Sequence, residues 1–188
     1  MLDPDYFRRP TLQVAHDLIG KLLVRGEPGG YRWGRLVELE AYLGPDDRAS
    51  HAAHGVTART RVMYGPPGRA YVYLVYGLHH CLNFVTCEEG VPHAILVRAL
   101  DPGPGVGRCA GPGLLCRALD VDLTMNGSPL TPPSLFLVDD GVTPDQVVQT
   151  PRIGVAYAGA WALRPWRFCL PSPHLSRPLR IGAGAGSG

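Results

Sequence analysis

The sequence predicts a single α+β domain in which strands outnumber helices. Most apolar segments are short and rich in aromatic and β-branched residues, as strands are, whereas only two segments have helical spacing. No strand–helix–strand alternation of the kind that builds parallel sheets is present. The length of 188 residues suits one domain. We therefore assign residues 1–181 to it and predict that the GAGAGSG tail, 182–188, is disordered.

The N-terminal segment is predicted to form a helix followed by a hairpin. Apolar residues recur at helical spacing after Pro10, which predicts a helix over 11–20. The turn-forming segment GEPGG, 26–30, separates two apolar runs. We therefore expect 21–25 and 31–42 to pair as antiparallel strands.

The remaining elements follow a long irregular segment. Residues 44–69 greatly exceed the length of a typical connection, and long loops of this kind are often functional. Residues 70–87 are predicted to form a second hairpin, broken near its middle by a glycine, and AILVRAL, 94–100, a further strand. GPGLLCRALDV, 111–121, is predicted to be a helix with proline in its first turn. Residues 151–170 are expected to contain a strand, a tight turn and a final strand.

Bulk composition narrows the function classes. The net charge is +2 and the pI about 8.3, a mild excess that permits nucleic-acid binding without arguing for it. Lys21 is the only lysine among 18 basic residues, so a mechanism through a lysine Schiff base has one candidate. The five cysteines form no CxxC pair, and the sequence has neither a signal peptide nor an apolar run of membrane-spanning length. We therefore expect an intracellular protein with reduced thiols and no membrane span, in the cytoplasm and nucleoid of a bacterium or the nucleus of a eukaryote.

Two glutamates interrupt an otherwise buried strand, VELEAYLG at 37–44. Strict alternation places Val37, Leu39 and Ala41 on one face and Glu38, Glu40 and Tyr42 on the other. Residues i and i+2 on one face lie about 7 Å apart, a separation that suits an acid–base pair of carboxylates. On this motif alone, an exposed face or pairing with arginines is the favoured interpretation. Tyr42 on the same face and Arg98 inside another strand indicate instead a polar pocket with an aromatic wall and a cation.

Histidines, an aromatic and several arginines supply further candidates. His51 and His54 have HxxH spacing without a cysteine or carboxylate at ligand spacing, so we predict no metal site and favour His51 as a hydrogen-bond donor in a pocket. Tyr76 precedes Gly77 at the tip of the predicted hairpin, where little core is available. An exposed aromatic there suits stacking on bases or wedging between them. Three nearby arginines complete a candidate nucleic-acid footprint: Arg59, Arg61 and Arg69.

Six segments form a longer pattern that spans roughly residues 4–170. They are RRPTLQVAHDLIGKLLVR, VELEAYLGPDDRASHA, RTRVMYGPPGRAYVYLVYGLHHCLN, ILVRALDP, GPGLLCRAL and RIGV. The combination of E-A-Y-L-G-P-x-D with P-G-x-A-Y-V-Y-L-x-Y-G is long and specific. In the order and spacing of these segments the chain resembles the alkyladenine (3-methylpurine) DNA glycosylase family.

This resemblance implies a fold, an activity and a partner. The fold is one mixed domain around a curved antiparallel β-sheet from which a β-hairpin protrudes. The activity is DNA base-excision repair: damaged purines such as 3-methyladenine, 7-methylguanine, hypoxanthine and ethenoadenine are flipped out of duplex DNA and their N-glycosidic bonds hydrolysed, which leaves an abasic site. Double-stranded DNA is then the partner, no cofactor or metal is needed, and a monomer is expected.

The resemblance also implies roles for individual residues. Glu40 matches the general base that activates water, and Arg98 the arginine that helps to hold this water. Asn83 matches the asparagine that disfavours guanine, and Tyr76 the tyrosine inserted through the minor groove into the vacated space. The chain departs from the family at Leu114, where a lysine is usual, so one DNA-backbone contact is not carried over. The flipped base would lie between Tyr42, His51 and Tyr73.

The chemistry agrees with this interpretation. Alkylation at N3 or N7 makes the purine a cationic leaving group, so one base, Glu40, suffices with Glu38 in support. Neutral lesions such as hypoxanthine also need protonation, and we expect weaker activity on them. Because Lys21 lies at a helix–strand junction remote from the motif, we predict a monofunctional glycosylase. Two alternatives stay open: a nucleoside or sugar hydrolase that uses both glutamates as a pair, and a non-catalytic nucleic-acid-binding module.

Overall fold

Eight strands in the described part of the chain join one antiparallel sheet. The computed structural model describes residues 1–179, and the tail predicted at 182–188 lies outside the described residues. The strands are β1 (Leu22–Glu27), β2 (Gly30–Leu43), β3 (Ala70–Val75), β4 (His79–Thr86), β5 (His93–Pro102), β6 (Leu135–Val138), β7 (Val148–Thr150) and β8 (Arg167–Cys169). Their order is β3-β4-β5-β2-β1-β6, with β8 pairing to β2 and β7 to β8, and the sheet curls into half a barrel.

Among residues 1–179, two α-helices and several short 3-10 segments accompany the sheet. Helix α1 (Thr11–Leu18) packs on β2 and β5, and helix α2 (Pro112–Ala118) packs on β4 and β5. Strands outnumber α-helices and pair in antiparallel fashion in the described part of the chain, which confirms the predicted α+β class. Within residues 1–179, no helix is both long enough and apolar enough to cross a membrane.

The first helix and hairpin are confirmed with small shifts of their boundaries. Helix α1 ends at Leu18, two residues before the predicted end, and Val14 and Ala15 are buried with it in the main core. Strand β1 pairs with the first half of β2, and the chain reverses at Pro28 and Gly29. Gly29 has a φ of +88°, a conformation that glycine adopts without steric penalty, and this permits the tight turn.

A β-bulge in β2 changes which residues share a face. The register of β2 against β5 shifts on both sides of Glu38, and such an extra residue breaks strict alternation. Leu39 belongs to the main core, whereas Val37 packs in a separate cluster with Ala99. The prediction that Val37 and Leu39 share one face is therefore wrong. Residues 36–41 are all buried, so this strand is covered on both faces.

The second hairpin and the strand after it are confirmed. Strands β3 and β4 pair continuously from Ala70↔Phe84 to Val75↔His79, and residues 76–78 form the protruding tip. Strand β5 lies between β4 and β2, with Arg98 in its interior as predicted. This arrangement brings Arg98 beside the two glutamates of β2.

The C-terminal part differs from the prediction. Residues 44–69 are irregular apart from two short 3-10 segments, as expected. The strand predicted at the start of 151–170 lies just before it, as β7, and β8 is preceded by the 3-10 segment Ala156–Leu163. Helix α2 stops earlier than predicted because Asp120 takes up a left-handed conformation, with a φ of +51°. Strand β6 has no counterpart in the sequence-based prediction.

Candidate active site

The candidate residues converge on one cavity of about 810 Å³. It lies between the β3–β4 hairpin, residues 49–51, the start of α2 and residues 153–157. Seven of the site residues predicted from the sequence line it: Tyr42, His51, Arg59, Tyr73, Tyr76, Asn83 and Arg98. A cavity of this volume is large enough to enclose a nucleotide-sized ligand.

Glu40 lies behind this lining, fully buried, and its carboxylate accepts three hydrogen bonds. The Tyr42 hydroxyl and Arg98 Nη1 donate to Oε2 over 2.8 and 3.3 Å, and the Ile153 backbone N–H donates to Oε1 over 2.7 Å. All three donor residues line the cavity. Because a carboxylate offers about four acceptor positions, one position of Glu40 remains for a water molecule or a ligand.

Glu38, also fully buried, accepts four hydrogen bonds, three at Oε1 and one at Oε2. Arg167 Nε and Arg98 Nε donate to Oε1 over 2.8 and 3.0 Å. The backbone N–H and the hydroxyl of Ser176 donate to Oε2 and Oε1, each over 2.6 Å. Sequence reasoning missed Arg167 and Ser176, because they lie 129 and 138 residues after Glu38 and no local pattern marks them.

The two carboxylates differ in their tendency to ionise. Burial raises the pKa of Glu40, and the charge of Arg98 with the hydrogen bonds offsets this only in part. Burial acts in the same direction on Glu38, but the hydrogen bonds from Arg167 and Ser176 outweigh it and lower the pKa. Burial lowers the pKa of Arg98, but the charges of Glu40 and Glu38 outweigh it, so the pKa is raised and the guanidinium stays charged. Glu40 is therefore the carboxylate that takes up a proton more readily, and Glu38 the one that its hydrogen-bond donors hold ionised.

Aromatic side chains form the walls of the cavity. The rings of His51 and Tyr73 are in contact, with centroids 4.6 Å apart and planes inclined by 72°, and Tyr42 lines the cavity with them. His51 Nδ1 is hydrogen-bonded to the Tyr71 hydroxyl over 2.8 Å. Burial lowers the pKa of His51 to about 4, and the charge of Arg59 adds to this effect. The imidazole is therefore neutral at pH 7.

Asn83 lies on β4 and is buried in the cavity wall. Its Nδ2 donates to the carbonyl oxygen of Tyr71 over 3.0 Å. This bond fixes the amide against the neighbouring strand, so Asn83 is a rigid part of the wall.

Tyr76 stands at the mouth of the cavity, on the tip of the hairpin. Its side chain is 90% exposed, and its φ of +52° is uncommon for a residue other than glycine. Gly77 follows with a φ of +69°, and the N–H of Leu78 donates to the Val75 carbonyl over 3.0 Å, which closes the turn. The turn therefore projects the Tyr76 ring into solvent beside the cavity, where the sequence placed it.

The three arginines predicted to bind DNA are not equivalent. Arg59 lines the cavity, with its Nη2 donating to a β3 carbonyl over 2.7 Å and its guanidinium 5.0 Å from the centre of the Tyr73 ring. Arg61 is exposed, and half-buried Arg69 donates to the Gly127 carbonyl over 2.7 Å. Neither Arg61 nor Arg69 lines the cavity.

The cavity presents positive charge to solvent. In the described part of the chain its lining contains no carboxylate, but it contains Arg59 and Arg117, together with Arg98, whose charge is paired with Glu38 and Glu40 behind the lining. Arg117 lies on α2 three residues after Leu114, which lines the cavity as well. Such a surface attracts a phosphate backbone. Residues 1–179 contain no group of three or more His, Cys, Asp or Glu side chains placed to hold a metal ion.

Comparison with known proteins identifies the family. The family model described as methylpurine-DNA glycosylase matches residues 5–174. A protein of Anaeromyxobacter dehalogenans (strain 2CP-1) is 52% identical over 176 residues, which cover 92% of this chain and 84% of that protein. Proteins of Methanocella arvoryzae and Myxococcus xanthus are 47% and 48% identical, over 89% and 94% of this chain and 91% and 93% of theirs. All three are named "Putative 3-methyladenine DNA glycosylase". The resemblance seen in the motifs is thus confirmed over most of the sequence, and the chain belongs to the methylpurine-DNA glycosylase family.

Proposed function

We propose that this protein is a DNA-3-methyladenine glycosylase that flips alkylated or deaminated purines out of duplex DNA and hydrolyses their N-glycosidic bonds. Its lesions are 3-methyladenine, 7-methylguanine, hypoxanthine and ethenoadenine. The observation that carries the proposal is the buried Glu40, which is held by Arg98 and Tyr42 at the edge of a cationic cavity with aromatic walls. The protein acts as a monomer on double-stranded DNA and leaves an abasic site.

The proposed reaction needs one base and one oriented water molecule. The flipped purine stacks against Tyr42 on one side and against His51 and Tyr73 on the other. The free acceptor position of Glu40 takes a proton from water as the water attacks the sugar carbon C1′, and the charge of Arg98 keeps the carboxylate ionised until then. The C1′–N bond breaks toward the purine, which leaves as a neutral base when it was alkylated. Neutral lesions need a proton as well, so slower release of hypoxanthine is part of the proposal.

The proposed enzyme is monofunctional. Covalent lyase chemistry needs an amine nucleophile at the sugar, and Lys21, the only lysine, lies in an ion pair with Asp139, Nζ to Oδ1 2.8 Å. Neither residue lines the cavity. Borohydride reduction during the reaction is therefore expected to trap no enzyme–DNA adduct, and a trapped adduct would overturn this part of the proposal.

Base release from defined duplexes tests the proposal. Four duplexes, each with one of the four lesions, are incubated with wild-type protein, and abasic sites are detected by strand cleavage in alkali. We expect release from the alkylated duplexes and slower release from the hypoxanthine duplex. An undamaged duplex is the matched control, and no release from any of the four lesions would refute the enzyme function.

Tyr76→Ala is expected to lower the rate of base release from duplex DNA by about 10-fold to 100-fold, because the vacated space in the stack is no longer filled. Release from the same lesion in single-stranded DNA should fall much less, since no stacked partner has to be left behind. Rates on the two substrates are compared in single-turnover assays. Leu78→Ala, at a tip residue that is 74% exposed, is the matched control. A hydrolase for free nucleosides, which opens no duplex, would keep its activity in Tyr76→Ala.

A further inference from the structure

A second buried ion pair lies behind the cavity and takes no part in the proposed reaction. Arg152 and Asp47 have fully buried side chains and form a two-pronged pair, with Nη1 to Oδ2 at 2.5 Å and Nη2 to Oδ1 at 2.8 Å. Neither residue lines the cavity. Burying two charges is unfavourable unless the geometry is good, so the pair calls for an explanation beyond packing.

The guanidinium of Arg152 packs on the aromatic wall of the cavity. Its central carbon lies 4.7 Å from the ring centre of Tyr42 and 5.0 Å from that of Trp166. Arg152 Nε has no hydrogen-bond partner among the described residues, so the rings hold this part of the side chain. Tyr42 lines the cavity and Arg152 does not, so the guanidinium contacts this wall residue without lining the cavity itself.

Arg152 also fixes the segment that contacts the carboxylate of Glu40. Its Nη1 donates to the carbonyl of Ala41 over 2.9 Å and its Nη2 to the carbonyl of Trp161 over 3.2 Å. The next residue, Ile153, supplies the N–H that donates to Glu40. The same arginine therefore holds the stacking wall and one donor of the general base.

Asp47 connects this arrangement to the opposite wall. Its carboxylate accepts hydrogen bonds from the N–H groups of Leu43 and Ala49, each over 3.1 Å. Its backbone carbonyl accepts from the N–H of Ser50 over 2.8 Å, directly before His51. The ion pair thus joins the segment that carries Tyr42 to the turn that leads to His51.

Besides the geometry of the ion pair, its net charge affects which ligand the cavity can bind. A lone guanidinium 4.7 Å from the ring centre of Tyr42 would repel a cationic purine stacked on that ring, since the two charges would lie close together in a medium of low dielectric constant. Asp47 cancels this charge at contact distance. The Tyr42 wall then adds no net positive charge to that of Arg59, which lines the cavity beside Tyr73.

We propose that Asp47 and Arg152 are positioning residues, in which Arg152 aligns Tyr42 with Glu40 and Asp47 neutralises Arg152 so that the pocket tolerates cationic bases. This inference rests on the proposed function, because it assigns a lesion preference to the same cavity. The proposal implies that the ratio of the activities on cationic and neutral lesions depends on Asp47, although Asp47 does not line the cavity.

The test compares single-turnover release of 7-methylguanine, a cationic lesion, with release of hypoxanthine, a neutral one. Asp47→Asn keeps the size of the side chain and one acceptor oxygen but leaves the charge of Arg152 uncompensated. We expect the 7-methylguanine to hypoxanthine rate ratio to fall by about tenfold relative to wild type. The matched control is Asp140→Asn, which makes the same change in the two-pronged surface pair with Arg35 and should leave the ratio unchanged.

Arg152→Lys tests the positioning role separately and keeps both charges. Lysine cannot hold the planar stack on Tyr42 together with the carbonyls of Ala41 and Trp161. Release of both lesions should slow by the same factor, about 10-fold to 100-fold, with the ratio unchanged. Thermal unfolding of every variant is measured, and Arg152→Lys still decides the positioning role of Arg152 if Asp47→Asn does not fold.

Each outcome bears on one idea. If wild type releases neither lesion, the proposed function fails; if wild type releases both, the inference can be judged by itself. An unchanged ratio in folded Asp47→Asn, or equal losses on both lesions, would mean that the pair is merely structural and overturns the role of Asp47. Wild-type rates in Arg152→Lys overturn the positioning role of Arg152.

Discussion

Glu40→Gln is expected to reduce base release by about 10²-fold to 10⁴-fold while DNA containing a lesion still binds. The substitution keeps the shape of the side chain and removes the lone pair that would accept a proton from water. Single-turnover rates on 7-methylguanine duplex measure the loss, and gel-shift titration on the same duplex measures binding. Retained binding is expected because the walls of the cavity and the arginines at its mouth are unchanged.

Glu38→Gln is the matched comparison, since both glutamates lie on β2 and both are fully buried. The pKa of Glu38 is lowered, so its ionised form stabilises the fold above the pKa of the unfolded carboxyl, and this stability is lost as the pH falls through the folded pKa. Removing one partner of such a buried network costs about 3–5 kcal/mol. We therefore expect Glu38→Gln to lower the free energy of unfolding at pH 7, measured in denaturant, far more than Glu40→Gln does.

The pKa of Glu40 is raised, so the sign of its contribution is opposite. Its ionised form is disfavoured in the fold relative to the unfolded chain, and replacing it with a neutral side chain relieves that penalty. If Glu40→Gln is stable but inactive and Glu38→Gln is unstable, Glu40 is the catalytic base and Glu38 supports the structure of the site. If Glu38→Gln proved the slower enzyme in its folded form, the assignment of Glu40 as the base would be wrong.

Local sequence patterns were sufficient for the elements that carry the site. Both hairpins, the first helix and the interior position of Arg98 follow from alternation, helical spacing and turn residues, each of which acts over a few neighbours. Strand β6 has only four residues and β7 only three, too few to give a periodic signal. The bulge at Glu38 could not be predicted from the sequence either, because it depends on how β5 pairs with β2.

The supporting groups of the site could not be predicted in the same way. Arg152 lies 105 residues after Asp47, and Ser176 lies 138 residues after Glu38, so their partnerships exist only in the folded chain. These partners are needed because the carboxylates are buried. Glu38 and Glu40 lie in a strand that is covered on both faces, so they require cations and hydrogen-bond donors from elsewhere in the molecule. The sequence supplied the unusual glutamates, and their partners became visible only with the fold.

Arg98→Gln is expected to lower base release at pH 7 by about 10²-fold to 10³-fold and to shift the acid limb of the pH–rate profile to higher pH. Arg98 contacts both carboxylates, through Nε to Glu38 at 3.0 Å and Nη1 to Glu40 at 3.3 Å. Burial raises the pKa of Glu40, and the charge of Arg98 opposes this. Without that charge the pKa of Glu40 rises further, so the ionised base is lost at a higher pH than in wild type.

Arg98→Lys is the matched control, because it keeps the charge beside Glu40 but not the two-sided contact. Its acid limb should stay closer to that of wild type, even where its maximal rate is lower. Profiles are measured on 7-methylguanine below the pKa of its N1–H, where the lesion keeps its positive charge, so that the limb reports the protein rather than the lesion. Ser176, near the end of the described residues, also contacts this guanidinium. Arg98 Nε donates to its hydroxyl oxygen over 3.4 Å, which helps to hold the guanidinium. An acid limb that stays in place in folded Arg98→Gln would mean that a group other than Glu40 limits the rate at low pH, and the proposed general base would have to be sought elsewhere in the cavity.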